Sequence, residues 1–514
     1  MIPSLPRLSD YDVSAIHGFL PTETPLEQLP DPYYAPWETI IRNLQGLVLS
    51  RRLRGLVDTL PVLSTELLHT EPEWRRAYQV LAFIAHAYIW GDPPLDRVPP
   101  SISIPFLATC RHLELPPVAT YAGVVLWNWK PFLPYEPIDN LENISTLHTF
   151  TGSLDESWFY LVSVAIEARG APLITLMLDA ISAARYNDSK TITECLRTFA
   201  ETLDDLGTLL VRMYENCDPH VFYHRIRPFL AGSKNMADAG LPNGVLFDDG
   251  TPEAQYVQFS GGSNAQSSII QFFDIVLGVE HRPTGEKQPS SGSDEEQAPH
   301  VPTGAPSNNF IKDMRTYMPG PHRRFLEHVS LVSNIRDYVA SHTSNRALCT
   351  AFDAALAMLR AFRDKHIQMV SRYIILKSRE SRSESRSMSP NQSKAQRRNI
   401  ANTLSRVPTN EPDIMGGGSR KLRGTGGTAL IPFLKQARDE TGEPAIDAWA
   451  RRLLNNGPAD AKEYAVRSLG SDLFGRGGGA RMTKIAERES GEMEIVGLAG
   501  TWSVDDSEGG ICHW

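Results

Sequence analysis

The stretch LRAFRDKHIQMVSRYIIL, Leu359 to Leu376, constrains the fold more than any other part of the chain. Leu359, Phe362, Ile367, Val370, Tyr373 and Ile374 recur at helical spacing, so it reads as one amphipathic helix. His366 lies four residues after Phe362 and four before Val370, on the apolar face. A neutral imidazole buried there needs a partner for each ring nitrogen. Two readings stay open from this helix: a core histidine satisfied by its neighbours, or a metal or haem ligand.

The same periodicity recurs along the chain. Trp37–Val57, Glu73–Trp90, Trp158–Ala168, Leu173–Ala184, Ile192–Tyr214, Ser267–Val279, Ala347–Leu376 and Ala429–Arg438 read as helices, and strand-like alternation is rare. The fold class is therefore mainly α, with no internal repeat. A length of 514 residues allows two or three domains. We expect a break near Ser145–Ser157, giving a small N-terminal helical domain (1–148) and a large helical domain (149–440). A C-terminal extension (441–514) follows, partly ordered, with a short helical piece, AIDAWARRLLNN, before GRGGG and a polar end.

Two segments lack the apolar content of a core and read as mobile loops: His281–Ser307, rich in Pro, Gly, Ser and acids, and the Ser/Arg-rich Lys377–Arg423. Arg-rich segments can bind RNA, but no aromatics interleave with these charges. A solvated loop between two helices is the reading we adopt. The net charge of −9 gives no global electrostatic case for nucleic acid.

The composition, 41% hydrophobic and 22% charged, is that of an ordinary soluble protein. Cys110, Cys195, Cys217, Cys349 and Cys512 are scattered without a CxxC pair, which fits a reducing compartment and opposes a thiolate zinc site. Pro and Asp interrupt the N-terminus where a signal peptide needs an apolar run. VLAFIAHAYIW and IIQFFDIVLGV are too short to span a bilayer. A cytoplasmic monomer without membrane attachment is expected.

Several unusual residues accompany His366. Asp274 shares a helical face with Ile270 and Leu277, and Arg363 lies three residues before His366. A buried Asp274–Arg363 pair is a natural expectation. In QFSGGSNAQSS, Gly261 and Gly262 allow close backbone approach to a flat or anionic ligand; a plain helix cap is the alternative. GTGGT, Gly424–Thr428, can hold a carboxylate or phosphate, or serve as a hinge. In FYHRIRPFLAG, Pro228 biases Arg227 away from regular helix, and an arginine there can clamp a carboxylate. Phe159 and Ser163 stand four apart on one face.

Each signal is weak singly. In order, SWFYLVSVAIE, FYHRIRPFLAGSKN, FSGGSNAQSSIIQFFDIVLG, MRTYMPGPHRRFLEHV, FRDKHIQMVSRYIIL and GTGGT, with TYAGVVLWNWK before them, closely resemble the indoleamine 2,3-dioxygenase family. The likeness is fungal-like and runs from about Thr120 to about Lys435. The N-terminal part fits only in helical character, and the tail after Thr441 has no recognised counterpart.

The resemblance implies a large helical domain enclosing haem b, one per chain, with the smaller domain covering the distal side. It implies that His366 is the proximal ligand of the iron. Arg363 and Asp274 then stand behind that ligand and towards the propionates, while Gly262, Ser263 and Asn264 border the haem. Tyr121, Phe159 and Phe222 wall the indole pocket. Ser163 lies near the indole nitrogen or O₂, Arg227 binds the substrate carboxylate, and Thr425 closes over the substrate amine. Phe159, Ser163 and Arg227 are the catalytic set.

The implied reaction inserts O₂ across the indole C2–C3 bond of L-tryptophan, or a related indoleamine, to give N-formylkynurenine. An electron donor keeps the iron ferrous. Two departures, Tyr223 for a common second Phe and Asn264 for a small apolar residue, are expected to make the pocket more polar. Rival readings are a haem protein of the same fold that binds or senses O₂ or oxidises another indole, and a structural helical protein with a basic interaction loop.

Overall fold

The computed structural model describes residues 3–283, 309–380, 430–455, 484–487, 493–497 and 500–503. Helices dominate it. Three short ones open the chain: α1 (Ala35–Arg42), α2 (Leu44–Leu49) and α3 (Leu53–Asp58). The apolar pattern over Trp37–Val57 predicts a single helix instead. Two local features break it. The Asn43 amide donates to Thr39 O at 2.8 Å at the end of α1, and Arg51 turns left-handed (φ 58°) between α2 and α3.

Helix α4 (Glu71–Ile89) begins at a capping box of Thr70 and Glu73, with Pro72 in its first turn. It packs on α5 (Pro100–Leu113), which the periodicity does not reveal because Pro105 lies inside it. α6 (Leu154–Gly170) starts at Ser153, whose hydroxyl accepts from Glu156 N, and runs almost directly into α7 (Pro172–Arg185). By length and composition Leu154–Arg185 could cross a bilayer, longer than the apolar runs suggest. Its most apolar window is 72% buried inside the protein, so this is a core pair of helices. α8 (Ser189–Val211) packs on both.

The one-turn helices α9 (Met213–Asn216), α10 (Pro219–Val221) and α11 (Arg227–Leu230) lead to α12 (Ser268–Leu277). Then come α13 (Phe310–Met314), α14 (Gly320–Val332), α15 (Ile335–Ser341) and the long α16 (Arg346–Val370), which lies along α8. α17 (Leu430–Glu440) and α18 (Ala448–Asn455) dock on α16. The Asp353 carboxylate receives Ile446 N at 2.8 Å and Asp447 N at 3.0 Å, fixing the link between them.

Strands are short. β1 (Arg97–Val98) runs parallel to β4 (Val245–Phe247), which pairs antiparallel with β5 (Tyr256–Val257). β2 (Lys130–Pro131) and β3 (Ile144–Ser145) form a small antiparallel ladder. β6 (Lys484–Glu487), β7 (Met493–Gly497) and β8 (Gly500–Ser503) form an antiparallel meander.

One contiguous apolar core runs from Trp37, Phe83 and Phe106 through Tyr160 and Phe199 to Phe272 and Phe352, all fully buried. Cys110, Cys195, Cys217 and Cys349 are free and buried. Cys512, GTGGT with Thr425, and most of the two expected loops lie outside the described residues.

The described ends of those loops correct the expectation. His281 is not loose: its ring sits between Asp274 and Glu440. Residues 377–380 continue as helix. Pro and Gly further along masked the charge pairing that holds His281.

Candidate active site

Three π-helical turns occur among the described residues: Ala122–Leu126, Phe222–Ile226 and Ser371–Leu376. All three border one internal cavity of about 240 Å³. Such turns widen the helix by one residue and concentrate at functional sites. α6, the Gly262–Ser267 loop, α16 and α17 complete the walls. A larger depression of about 670 Å³ around Leu107, Cys110 and Tyr317 is more open and contains none of the expected site residues.

The structure brings the sequence-predicted residues together. Tyr121, Phe159, Ser163, Phe222, Arg227, Gly262, Ser263, Asn264, Arg363 and His366 all line the cavity. The rings of Phe159 and Phe222 meet with centroids 4.8 Å apart. Asp274 stands one layer behind the wall, its two oxygens each 2.7 Å from Arg363 Nη2.

His366 answers the question its helix raises. Its ring is half-buried and opens onto the cavity. Among the described residues neither ring nitrogen has a hydrogen-bond partner. Burial first, then the nearby Arg363 charge, lower its pKa to about 4, which keeps the imidazole neutral and able to ligate.

Among the described residues it is the one histidine on the cavity wall, and no cysteine, aspartate or glutamate lines it. No cluster of three such side chains able to hold a bare metal ion occurs among the described residues. A metal held by one imidazole must take its remaining ligands from a chelating group. A mostly apolar slot beside a lone neutral histidine fits a haem.

Behind His366 lies a charged frame. Burial opposes the charge of Asp274, yet Arg363 and His281 outweigh it and hold the carboxyl below its ordinary range. His281 Nε2 is 3.1 Å from Asp274 and Nδ1 2.7 Å from Glu440. Burial works against its charge as well, but the two carboxylates raise its pKa. Arg363 also donates to the Thr441 hydroxyl. The frame thus clamps α17, whose Phe433, Leu434 and Ala437 face the cavity, onto α12 and α16.

Arg227 is 1% exposed. Contrary to the bias expected from Pro228, it stays helical (φ −52°, ψ −37°). The π-turn just before it resets the register against which the proline ring would clash. Tyr223 is also corrected: it does not line the cavity but lies fully buried, 5.7 Å beneath the Arg227 guanidinium. Asn264 does line the cavity, as expected.

Of the two loop glycines, Gly261 serves backbone packing rather than a ligand. A Cβ there would stand 2.2 Å from Leu230 O. Gly262 N donates to that same carbonyl at 3.1 Å and borders the cavity.

The family model for indoleamine 2,3-dioxygenase matches residues 7–444. The chain belongs to the indoleamine 2,3-dioxygenase family. It is 42% identical over 454 residues to indoleamine 2,3-dioxygenase of Saccharomyces cerevisiae, covering 85% of this chain and 93% of the relative. It is 36% identical over 438 residues to a 6-hydroxytryptophan 2,3-dioxygenase of Fusarium equiseti, covering 85% and 97%. It is 32% identical over 448 residues to mouse indoleamine 2,3-dioxygenase 1, covering 86% and 96%. The likeness therefore includes the N-terminal region, where the sequence motifs show only helical character.

Sequence reasoning misses one polar cluster of this family member. Glu167, on α6 one turn after Ser163, is 0% exposed. Its Oε1 accepts from the Tyr121 hydroxyl at 3.0 Å and the Ser267 hydroxyl at 2.7 Å. Burial raises its pKa to about 7 against the pull of those two hydrogen bonds. The signal was slight: an acid four residues after Ser163, directly following the apolar run Val164–Ile166 and close to the helix end.

Proposed function

We propose that this chain is a haem b dioxygenase that inserts both atoms of O₂ across the indole C2–C3 bond of L-tryptophan, giving N-formylkynurenine. The observation that carries this reading is a neutral imidazole, His366, single and unpartnered among the described residues, on the wall of a mostly apolar cavity that also contains the buried Arg227. When bound, the haem supplies the redox-active iron that makes O₂ reactive towards the indole.

The protein's own groups hold and orient. His366 holds the haem from α16, and Arg363 with Asp274 fixes that helix. Gly262, Ser263 and Asn264 border the haem edge. Phe159, Phe222 and Tyr121 wall the indole ring and exclude water. Arg227 pairs with the substrate carboxylate, a charge-assisted contact strengthened by its burial. Ser163 faces the indole nitrogen or O₂. Residues 1–148 act as the smaller domain over the substrate side. The protein works as a cytoplasmic monomer with one haem and an external electron donor.

A second reading, a ring-modified indole as preferred substrate, is favoured by Asn264 on the wall and by the 6-hydroxytryptophan 2,3-dioxygenase among the relatives. The test is turnover of L-tryptophan by the haem-loaded, reduced protein under ¹⁸O₂. Two labelled oxygens in N-formylkynurenine support the proposal; one or none overturns it. The ratio of kcat/KM for tryptophan and a hydroxytryptophan separates the two substrates.

A further inference from the structure

Glu167 lies where three walls of the cavity meet. From α6 it receives the hydroxyl of Tyr121, which precedes the first π-turn, and the hydroxyl of Ser267, which caps α12. Ser163, one turn earlier on the same helix, also contacts the Tyr121 hydroxyl. The Tyr121 backbone N–H donates to Gln266 Oε1 at 2.9 Å, and Gln266 Nε2 donates to Gly261 O at 2.9 Å. One carboxyl therefore ties α6, the Tyr121 turn and the Gly261–Ser267 loop into a single rigid corner.

A purely structural joint does not need an acid there. Glu167 Oε2 is buried and has no hydrogen-bond partner among the described residues. A carboxylate with one orphaned oxygen in an apolar setting is costly, and an amide or hydroxyl would tie the corner more cheaply.

We infer that Glu167 is a positioning residue for the substrate, setting the shape of the indole pocket through the hydroxyls of Tyr121 and Ser267 and coupling substrate binding to uptake of a proton on its own carboxyl. The inference rests on the proposed dioxygenase reading and deepens it. Glu167 is already shut off from solvent behind the wall, so the apolar indole filling the cavity in front of Tyr121 and Ser267 lowers the polarity around the corner further, which favours the neutral acid. Binding is then tighter where the acid is protonated. Among the described residues Tyr121 is the only ionisable partner of Glu167, and burial holds its phenol protonated throughout the neutral range. The pH response thus belongs to Glu167, whose carboxyl titrates at about 7.

The test uses the haem-loaded holoenzyme and reads L-tryptophan affinity twice, as KM and as the shift of the haem absorption band on binding. In the parent enzyme the affinity should weaken as pH rises from 6 to 8. Glu167→Gln keeps an acceptor oxygen but cannot ionise, so its affinity should be flat over that range and close to the parent value at pH 6. Glu167→Leu should raise KM by about tenfold, the loss of hydrogen bonds to a buried acid, with kcat changed far less. Tyr121→Phe combined with Glu167→Leu should be no worse than Glu167→Leu by itself, because both remove one linkage.

A pH profile in Glu167→Gln parallel to the parent, or additive effects in the double variant, would overturn the inference. Failure of the parent enzyme to bind haem or form product would strike the dioxygenase reading instead, so the two outcomes are distinguishable. If Glu167→Leu does not fold, the Gln variant alone decides.

Discussion

Arg363 Nη2 lies 2.7 Å from each oxygen of Asp274, one helical turn before His366. The pair joins α16 to α12 at the level of the imidazole, and His281 and Glu440 extend it to α17. The orientation of His366 therefore depends on a largely buried charge network.

Removing one member should expose that dependence. Asp274→Ala leaves the Arg363 and His281 charges buried without their shared carboxylate. It should cost roughly 3–5 kcal/mol of stability and speed haem loss. Denaturant titration and transfer of haem to an acceptor protein check this. Unchanged stability with unchanged haem release would remove the pair from the support of His366.

Arg227→Ala should leave haem content intact and raise the KM for L-tryptophan steeply, since a buried charge-assisted pair is worth roughly 2–5 kcal/mol. Indole analogues without a carboxylate should lose little. An equal loss for both substrates would point to collapse of the pocket rather than to a carboxylate clamp.

Gly261→Ala places a methyl group 2.2 Å from Leu230 O and 2.3 Å from Gly232 N. The two backbone segments must separate, at a cost of roughly 1–3 kcal/mol, and the cavity wall at Gly262 moves with them. Gly46→Ala, in α2 with open space around it, is the control. It should stabilise slightly, by roughly 0.5–1 kcal/mol. Thermal melts of both variants check the contrast.

His86 carries a pH signature. Its Nδ1 donates to Phe229 O at 2.7 Å and its Nε2 accepts from Ala119 N at 2.8 Å, so the ring must be neutral. Burial lowers its pKa to about 4. The unfolded chain takes up a proton near 6.5 that the folded one refuses. Stability from this group is thus complete above pH 6.5 and declines as pH falls towards 4, by up to about 3 kcal/mol. His86→Asn should be less stable at pH 7.5 but should show a shallower decline between pH 6.5 and 4 in urea denaturation. Parallel declines would contradict the assignment.

Much of this site is legible in the sequence because helical spacing converts directly into a shared face. Phe159 with Ser163, and Arg363 with His366, needed nothing more. The Asp274–Arg363 pair was legible because a lone acid on the apolar face of α12 must find a cation. Glu167 was not, since an acid near a helix end also reads as a solvated terminus. The π-turns leave no period of their own, so the helical placement of Arg227 and the retreat of Tyr223 could not be foreseen. The wall from α17 was hidden by its distance along the chain, and His281 by the Pro- and Gly-rich residues after it.

The central claim is that the imidazole of residue 366 ligates haem, and a haem titration followed by visible absorption tests it most directly. The parent protein should bind one haem per chain, with a Soret band that shifts when L-tryptophan is added. His366→Ala should fold, with the same far-ultraviolet circular dichroism, and retain no haem through gel filtration. Stoichiometric haem with an unaltered Soret band in that variant would contradict the account.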